Sequence, residues 1–487
     1  MTCPRIAGGD VPVLSQTPFP SGGDDPEIIV DTAPPLILSA RRRVKASLVL
    51  LCVWMVVIVL HVVPVTRWAV TGLAASMVVY AGRLTIAAPV TPPATLEFSG
   101  ASTEGSPIPS DLTNFASLQP APTLEVPRVS LMIPAKNESL VISHLLSSLQ
   151  ALDYPADRFE VWAIDDASTD GTADVLQRWK QQFPQLHVYR RQDGASGGKS
   201  GALNEVLPLT SGEIVGILDA DATVPVDFLR RSLAVFQEKP EVAALQLRKA
   251  IANSDENFWT RNQMAEMALD SYFQQQRRAI GGLGELRGNG QLVRRSVLEN
   301  INGWNEATIT DDLDLTFRLH LFGQDVAFLS TPAVREEGVV RWANLWPQRT
   351  RWAEGGYQRY LDYWPGILKN RLGSAKTFDL AVFFLIQYLL PIAAVPDFLM
   401  AVRYSHTFVL WPLSLIMVSF SSISMARGLY RTHNMKGLEL LRTTAVGTAY
   451  MLHWIPVMIL TTAKMCVRAK QLKWVKTLHV GAQGSGA

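Results

Sequence analysis

Long apolar segments at both ends of the chain limit most strongly how it can fold. The first, residues 46–65, has about 20 residues, the length that the hydrocarbon core of a bilayer requires, and three arginines at 41–43 precede it. Because lysine and arginine collect on the cytosolic side of membranes, its N-terminal end is expected to face the cytosol. A shorter apolar run follows at 68–80, and a second crossing would return the chain to the cytosol.

Three further apolar segments lie near the C-terminus, at 378–402, 408–425 and 443–463. Basic residues flank the last of them on both sides, and one crossing cannot place both flanks in the cytosol. That segment is therefore expected to be re-entrant, split or interfacial, and the number of spans stays open. We predict transmembrane helices over 41–90 and transmembrane or interfacial helices over 374–466, because buried core helices are seldom this long and apolar.

Three polar stretches flank or separate these segments. Residues 1–40 are rich in Pro, Gly, Ser and Asp without periodicity and predict a disordered tail, too long and polar to begin a signal peptide. Residues 91–127 are rich in Pro, Ser and Thr and predict a linker. Residues 467–487 form a basic tail.

Composition excludes some classes of protein. A net charge of +2 provides no basic surface for nucleic acid, so no nucleic acid partner is expected. The hydrophobic fraction of 48% is high and the charged fraction of 18% is low for a soluble enzyme, which fits an integral, multi-pass membrane protein. Cys3, Cys52 and Cys466 lie too far apart for a zinc motif or a disulfide framework. The oligomeric state stays open.

Residues 128–373 have the pattern of an α/β domain. Short apolar runs at 129–133, 161–164 and 214–218 are bounded by polar turns, like strands buried in a parallel sheet. Helix-periodic segments alternate with them. This order predicts a doubly wound sheet, whose ligands bind beyond the carboxyl ends of the strands.

Two polar motifs follow the first two predicted strands. Residues 134–138 read Pro-Ala-Lys-Asn-Glu, and residues 165–172 begin with Asp165 and Asp166. Carboxylates at these positions can accept hydrogen bonds from a base or a ribose. Ser168 or Thr169 could instead cap the next helix, so neither motif alone is specific.

A pair of acids follows the third predicted strand. Strand alternation places Asp219 and Asp221 on the same side of the chain. Two neighbouring carboxylates repel each other unless a cation lies between them, and Mg²⁺ or Mn²⁺ held together with substrate phosphates is the natural candidate. Two solvated acids in a turn are the alternative.

A third acidic group, Asp311, Asp312 and Asp314, precedes a predicted helix at 315–321. A helix N-terminus explains one of these acids, but not three. A buried carboxylate crowded by others can have a raised pKa and can act as a general base on a hydroxyl.

Arginines and tryptophans precede the C-terminal membrane segments. In the motif Gln348-Arg-Thr-Arg351-Trp352, arginine is suited to a diphosphate, and tryptophan is suited to stacking on a sugar or a base. An interfacial aromatic anchor that includes Trp342 and Trp346 would use the same residue types, and both interpretations stay open.

Residues 194–200, Gly-Ala-Ser-Gly-Gly-Lys-Ser, resemble a P-loop only superficially. Three residues separate the first glycine from the Gly-Lys pair, whereas the motif needs four. A P-loop is therefore not expected, although Lys199 near a donor phosphate is compatible with the pattern.

Together, the motifs at 134–138, 165–166, 219–221, 310–312 and 348–352 resemble, in this order, those of the family 2 glycosyltransferases. The resemblance covers residues 128–360, about half of the chain, and its combined pattern is specific. It implies a GT-A type α/β nucleotide-sugar domain, on the cytosolic side, flanked by transmembrane α-helices.

The resemblance also implies roles for individual residues. Glu138, Asp165 and Asp166 would bind the nucleoside of a UDP-sugar donor, and Lys199 would neutralise phosphate charge. Asp219 and Asp221 would hold the metal, Mg²⁺ or Mn²⁺. Asp312 would be the general base of an inverting transfer. The residues that would close over the diphosphate and the acceptor are Gln348, Arg351 and Trp352.

Asp311 departs from the family pattern, because many members carry Glu there. The segments 284–291, 303–306 and 308–314 are more similar to the branch that moves one glucose from UDP-glucose to 1,2-diacylglycerol. A lipid acceptor in the bilayer also suits an aromatic-rich site at the membrane surface.

Three alternatives stay open at this point. The first is a processive polysaccharide synthase of the cellulose, hyaluronan and chitin synthase type, whose flanking helices are similar. The second is a non-catalytic scaffold, which five complete motifs disfavour. The third, an NAD-dependent oxidoreductase, would need a Gly-x-Gly-x-x-Gly motif where residues 134–138 lie.

Overall fold

The computed structural model describes residues 35–90 and 126–468. These two ranges include the whole of the predicted α/β domain and all five of the apolar segments. The predicted basic tail lies almost wholly outside them, and most of the predicted N-terminal tail and linker lie outside them as well.

A single seven-stranded sheet forms the centre of the described part of the α/β domain. Its strands are β1 (Val129–Ala135), β2 (Phe159–Asp165), β3 (Leu186–Arg190), β4 (Ile214–Ile217), β5 (Val242–Ile251), β6 (Gln291–Arg294) and β7 (Asp325–Glu336). They lie side by side in the order β3-β2-β1-β4-β6-β5-β7. The pairs β3–β2, β2–β1, β1–β4 and β5–β7 are parallel.

The three strands predicted from the sequence are parallel in the sheet, whereas β6, which was not predicted, runs antiparallel to both β4 and β5. The start of β6, Gln291, pairs with Ile217 at the end of β4. The chain thus re-enters the sheet at the edge where the parallel strands end, so it must run backwards. A mixed sheet of this kind keeps the turn that precedes β6 at the edge where ligands are expected.

Apolar alternation explains how the strands are buried. Leu131 and Ile133 pack into the core on one face of the sheet, and Met132 packs into the core on the other. Successive side chains of a strand point to opposite faces, and both faces are covered by helices. β1 is therefore apolar at nearly every position and is buried along its whole length.

Helices cover the sheet and extend from both ends of the domain. Their bounds are α1 (Pro35–Val62), α2 (Arg67–Ile86), α3 (Ile142–Gln150), α4 (Thr172–Gln182), α5 (Gly198–Val206), α6 (Phe228–Glu238), α7 (Phe258–Ala279), α8 (Arg295–Asn300), α9 (Asp311–Leu321), α10 (Trp342–Leu368), α11 (Ser374–Phe384), α12 (Leu390–Tyr404), α13 (Trp411–His433), α14 (Gly437–Met451) and α15 (Trp454–Val467). A π-helical turn, Leu385–Leu389, joins α11 to α12.

Five helical segments in the described part of the chain are long and apolar enough to cross a membrane. They are Ser39–Val62, Pro64–Ile86, Ser374–Tyr404, Trp411–His433 and Gly437–Val467. A turn at residues 452–453 splits the last segment into α14 and α15, which is one of the three forms expected for a segment with two basic flanks.

Buried ion pairs join the α/β domain to the candidate membrane helices. Arg277 of α7 contacts Asp379 of α11 at 2.7 Å and Glu285 at 3.3 Å. Glu285 also pairs with Arg287 at 2.8 Å and with Arg359 of α10 at 3.2 Å. Because three arginines surround it, the pKa of Glu285 lies far below its usual range despite burial. This network fixes the loop that leads into β6.

Candidate active site

The loops after β1 and β2 hold each other in place at the carboxyl edge of the sheet. Asn137 and Ala167 have positive φ angles of 57° and 52°, which cost an ordinary residue roughly 1–2 kcal/mol each. The amide of Asn137 donates to Ser168 Oγ at 2.9 Å, and the amide of Thr169 donates to Asn137 Oδ1 at 2.7 Å. These bonds keep Glu138 and the acids after β2 close together.

The two acids that follow β2 are buried and paired with cations of the protein itself. Asp165 accepts from Arg190 at 2.8 Å. Asp166 accepts from the buried Arg191 at 2.5 Å and from Lys136 at 3.2 Å. A carboxylate has about four acceptor sites, so a ligand here would use those that the arginines and the lysine leave over.

The acids after β4 lie at the same edge. Asp219 is paired with Lys199 Nζ at 2.7 Å, because the first turn of α5 carries the lysine towards the end of β4. Burial raises the pKa of Asp221 well above its usual range, and the neighbouring charges of Glu336, Asp219 and Glu138 raise it further. Asp221 therefore lies among more negative charge than the protein itself neutralises.

The negative charge around Asp221 shows whether the residues of the site fit a metal cation. Within the described residues, no group of three or more His, Cys, Asp or Glu side chains forms a complete metal shell. Asp219 and Asp221 together supply carboxylate oxygens, and Mg²⁺ commonly uses one or two carboxylates together with substrate phosphates. The oxygen donors and the raised pKa of Asp221 fit such a cation.

The acids of the fourth motif lie at the start of α9. This helix begins at Asp311, with Thr310 at its N-cap, so Asp311 and Asp312 lie in its first turn rather than before the helix as expected. Burial, with the charge of Asp311, raises the pKa of Asp312 to about 6. Such a carboxylate is ionised at neutral pH and is still a better proton acceptor than an ordinary aspartate.

The cations around these acids come from two other elements. Burial alone would lower the pKa of Lys199, but Asp219 and Asp311 raise it, so this lysine is charged at neutral pH. Arg351 of α10 lies within electrostatic range of Asp219, Asp311 and Asp312. The site thus brings together Lys199, Asp219, Asp312 and Arg351, as the motifs predicted.

Neighbouring residues of α10 have different environments. Arg349 is buried, pairs with Glu266 at 2.5 Å and lies 4.2 Å above the ring of Trp352. Gln348 accepts a hydrogen bond from Arg349 at 3.3 Å. The motif therefore has two parts: Arg351 faces the acids, whereas Arg349 fixes Gln348 and Trp352.

Sequence reasoning missed three residues of the site. Lys249 of β5 pairs with Glu336 of β7 at 3.0 Å and lies 5.4 Å from the ring of Trp352. Asn289 donates to Glu336 at 3.1 Å and accepts from the amide of Asp219 at 3.2 Å. The sequence offered one signal for Lys249, namely its position just after the apolar run 242–247.

Paired strand-end acids, with a lysine and an arginine beside them, fit a nucleotide-sugar-dependent glycosyltransferase with a GT-A type fold. The chain belongs to the family described as "Glycosyltransferase like family 2", whose model matches residues 127–355.

Curated relatives extend the similarity into the membrane segments. The chain is 51% identical over 451 residues to the beta-monoglucosyldiacylglycerol synthase of Synechocystis sp., covering 91% of this chain and 90% of the relative. It is 48% identical over 446 residues to the enzyme of that name from Nostoc sp., covering 90% of each. A poly-beta-1,6-N-acetyl-D-glucosamine synthase of Staphylococcus epidermidis is 28% identical over 260 residues, 51% of this chain and 59% of that one.

Among solved structures, a mannosyltransferase of Pyrobaculum calidifontis in complex with GDP-Man and Mn²⁺ is similar, with a TM-score of 0.49 and 20% identity. The match covers 87% of this chain and all of that one.

Proposed function

We propose that this glycosyltransferase moves glucose from UDP-glucose to 1,2-diacylglycerol and so makes monoglucosyldiacylglycerol, with inversion at the anomeric carbon. The observation that carries the proposal is the 51% identity to a beta-monoglucosyldiacylglycerol synthase over nearly the full length of both chains. The match covers 91% of this chain and therefore extends well beyond the α/β domain into the apolar segments.

The donor would bind across the carboxyl edge of the sheet. Glu138 and Asp166 would accept hydrogen bonds from the uridine, and Asp165 would hold that loop through Arg190. Lys199 is charged and faces Asp219, so it can neutralise a donor phosphate.

Asp219 and Asp221 would hold Mg²⁺ or Mn²⁺. Such a cation, when bound, neutralises the charge of the diphosphate and stabilises it as a leaving group. It would also relieve the repulsion that raises the pKa of Asp221.

Asp312 would act on the acceptor. Its ionised carboxylate takes the proton of the free hydroxyl of diacylglycerol as the hydroxyl oxygen bonds to the anomeric carbon. The bond between that carbon and the diphosphate breaks, and UDP leaves with the electron pair. Lys199 and Arg351 are placed to stabilise the charge that develops on the leaving group. Displacement from the opposite face converts an α-linked donor into a β-glucoside.

The protein would be an integral membrane protein with its catalytic domain in the cytosol. This orientation is supported by the arginines at 41–43 before the first span. Protease added to sealed inside-out vesicles should cleave the catalytic domain, whereas protection in these vesicles together with cleavage in right-side-out vesicles would contradict it.

The alternative is a processive polysaccharide synthase. The Gln348 to Trp352 motif and the match to a poly-beta-1,6-N-acetyl-D-glucosamine synthase favour it, but that match covers about half of this chain at 28% identity.

A product assay separates the two functions. Membranes that contain the protein are incubated with radiolabelled UDP-glucose, Mg²⁺ and diacylglycerol, and the lipid extract is separated from insoluble polymer. We expect one labelled glycolipid that depends on diacylglycerol and disappears in Asp312→Asn. The matched control is Asp174→Asn, an exposed acid on α4, which should retain activity. Label in polymer without need for diacylglycerol would establish the synthase instead.

A further inference from the structure

A cavity of about 580 Å³, widely open to the surface of the protein, lies where the last membrane segment breaks. Its walls come from the start of α7, the start of α10 and the end of α14, and they include Phe258, Trp259, Trp342, Val446, Ala449 and Tyr450. A cavity of this size falls in the range of roughly 300–1,000 Å³ typical of ligand sites. None of the motifs of the catalytic site contributes to it.

A row of packed aromatic rings and one arginine connects the wall of the cavity to the catalytic site. The ring of Trp342 lies 5.9 Å from that of His453, which lies 5.4 Å from that of Trp454. The guanidinium of Arg349 lies 5.6 Å from the ring of Trp454 and 4.2 Å from that of Trp352. Four successive side-chain contacts thus lead from Trp342 in the cavity wall to Trp352 of the catalytic site.

One buried carboxylate, Glu266, contacts two side chains of this row and one residue of the cavity wall. Glu266 accepts from Arg349 at 2.5 Å, from the indole of Trp454 at 3.0 Å and from the hydroxyl of Tyr450 at 3.5 Å. Because Tyr450 lines the cavity and Arg349 stacks on Trp352, the cavity wall and Trp352 share a common support.

The chemistry of the walls selects the occupant. The described residues that line the cavity include no Asp, Glu, Lys or Arg, and most are aromatic or aliphatic. The phosphate of a phospholipid would find no cation there, whereas an uncharged acyl chain requires none. Val446, Ala449 and Tyr450 belong to a candidate membrane span, so a lipid can reach the cavity from the bilayer.

We infer that this cavity holds one acyl chain of the diacylglycerol acceptor and so delivers the glycerol hydroxyl to the catalytic site. The inference rests on the proposed function. It identifies the N-terminal ends of α7 and α10, together with α14, as the part of the protein that recognises the lipid.

Filling the cavity tests the inference. Ala449 is exposed within it, so Ala449→Trp would occupy space for the acyl chain without displacing packed side chains. Loss of about two buried methylenes predicts an increase of about tenfold in the KM for dioleoylglycerol. The KM for a short-chain diacylglycerol should change much less, and the KM for UDP-glucose should not change. The matched control is Ala75→Trp on α2, which is exposed and lies outside the cavity.

Equal KM values in Ala449→Trp and wild type, as expected if bulk lipid fills the cavity, would overturn the inference, and so would an equal increase for long and short chains. If Ala449→Trp fails to fold, wild-type membranes decide the question with a diacylglycerol that carries a photoreactive diazirine on one acyl chain. Crosslinks to peptides that contain Trp342 or residues 446–453 support it, and crosslinks confined to other helices overturn it. Failure of the wild type to glucosylate any diacylglycerol would instead overturn the proposed function itself.

Discussion

The charge of Asp312 is expected to control how the reaction depends on pH. A general base must be ionised, and burial together with Asp311 raises the pKa of Asp312 to about 6. With that value, about nine-tenths of the carboxylate is ionised at pH 7 and about one-tenth at pH 5. The rate should therefore be nearly constant above pH 7 and should fall about tenfold for each pH unit well below 6.

The neighbouring charges give this prediction a direction that can be tested. Asp311 raises the pKa of Asp312, whereas Lys199 and Lys249 lower it. Asp311→Asn removes a like charge, so the acidic limb should move to lower pH. Lys249→Met removes an opposite charge, so the limb should move to higher pH.

The assay measures kcat/KM for the acceptor from pH 4.5 to 8.5, because this ratio reports the free enzyme. Asp312→Asn should lose about 10² to 10⁴ in kcat and should lose the acidic limb with it. A wild-type limb near pH 4, or one that persists in Asp312→Asn, would refute the assignment. Unchanged limbs in both neighbouring variants would refute the electrostatic explanation.

Three further predictions concern the metal, the loop that leads into β6, and the junction between the α/β domain and the candidate membrane helices. Asp221→Asn should raise the Mg²⁺ concentration needed for half-maximal activity at least about tenfold, measured by Mg²⁺ titration, and an unchanged requirement would contradict the metal assignment. Gly288 has a φ of 84°, and a Cβ there would lie 3.4 Å from Asp312 Oδ2. Gly288→Ala should therefore lower kcat, and this effect should be larger than any change in the KM for UDP-glucose. Asp379→Ala leaves Arg277 buried without its nearest partner and should lower the free energy of unfolding by about 3–5 kcal/mol, seen as a lower melting temperature in detergent. The control Asp153→Ala, from an exposed pair, should lower it by less than about 1 kcal/mol.

Most of the strand-end residues of the site could be predicted from the sequence. Asp219 and Asp312 belong to short motifs that follow apolar runs or begin a helix, and those patterns are local in sequence. The carboxyl ends of parallel strands meet at one edge, so the expectation that such residues converge needed no knowledge of the strand order. The structure places Lys199 beside Asp219 at 2.7 Å, and its position near a donor phosphate stays a prediction.

Other parts of the site depend on contacts between distant segments. Lys249 and Glu336 meet only because β5 pairs with β7, and neither carries a motif. Arg349 is paired with Glu266 of α7, so two arginines of one motif, separated by a single residue, have different environments. The sequence did not distinguish Arg349 from Arg351, because side-chain environments are set by the helices packed against α10.

The amino-acid sequence by itself indicated the class of this protein: its apolar segments are long enough to cross a bilayer, and its ordered acidic motifs resemble those of the family 2 glycosyltransferases. These features follow from local patterns of hydrophobicity and charge. Tertiary structure alone decided the reversed direction of β6, the excess negative charge around Asp221 and the aromatic cavity beside α14. Each of these depends on which distant segments pack together, and burial there changes both the pKa of a carboxylate and the space left for a lipid.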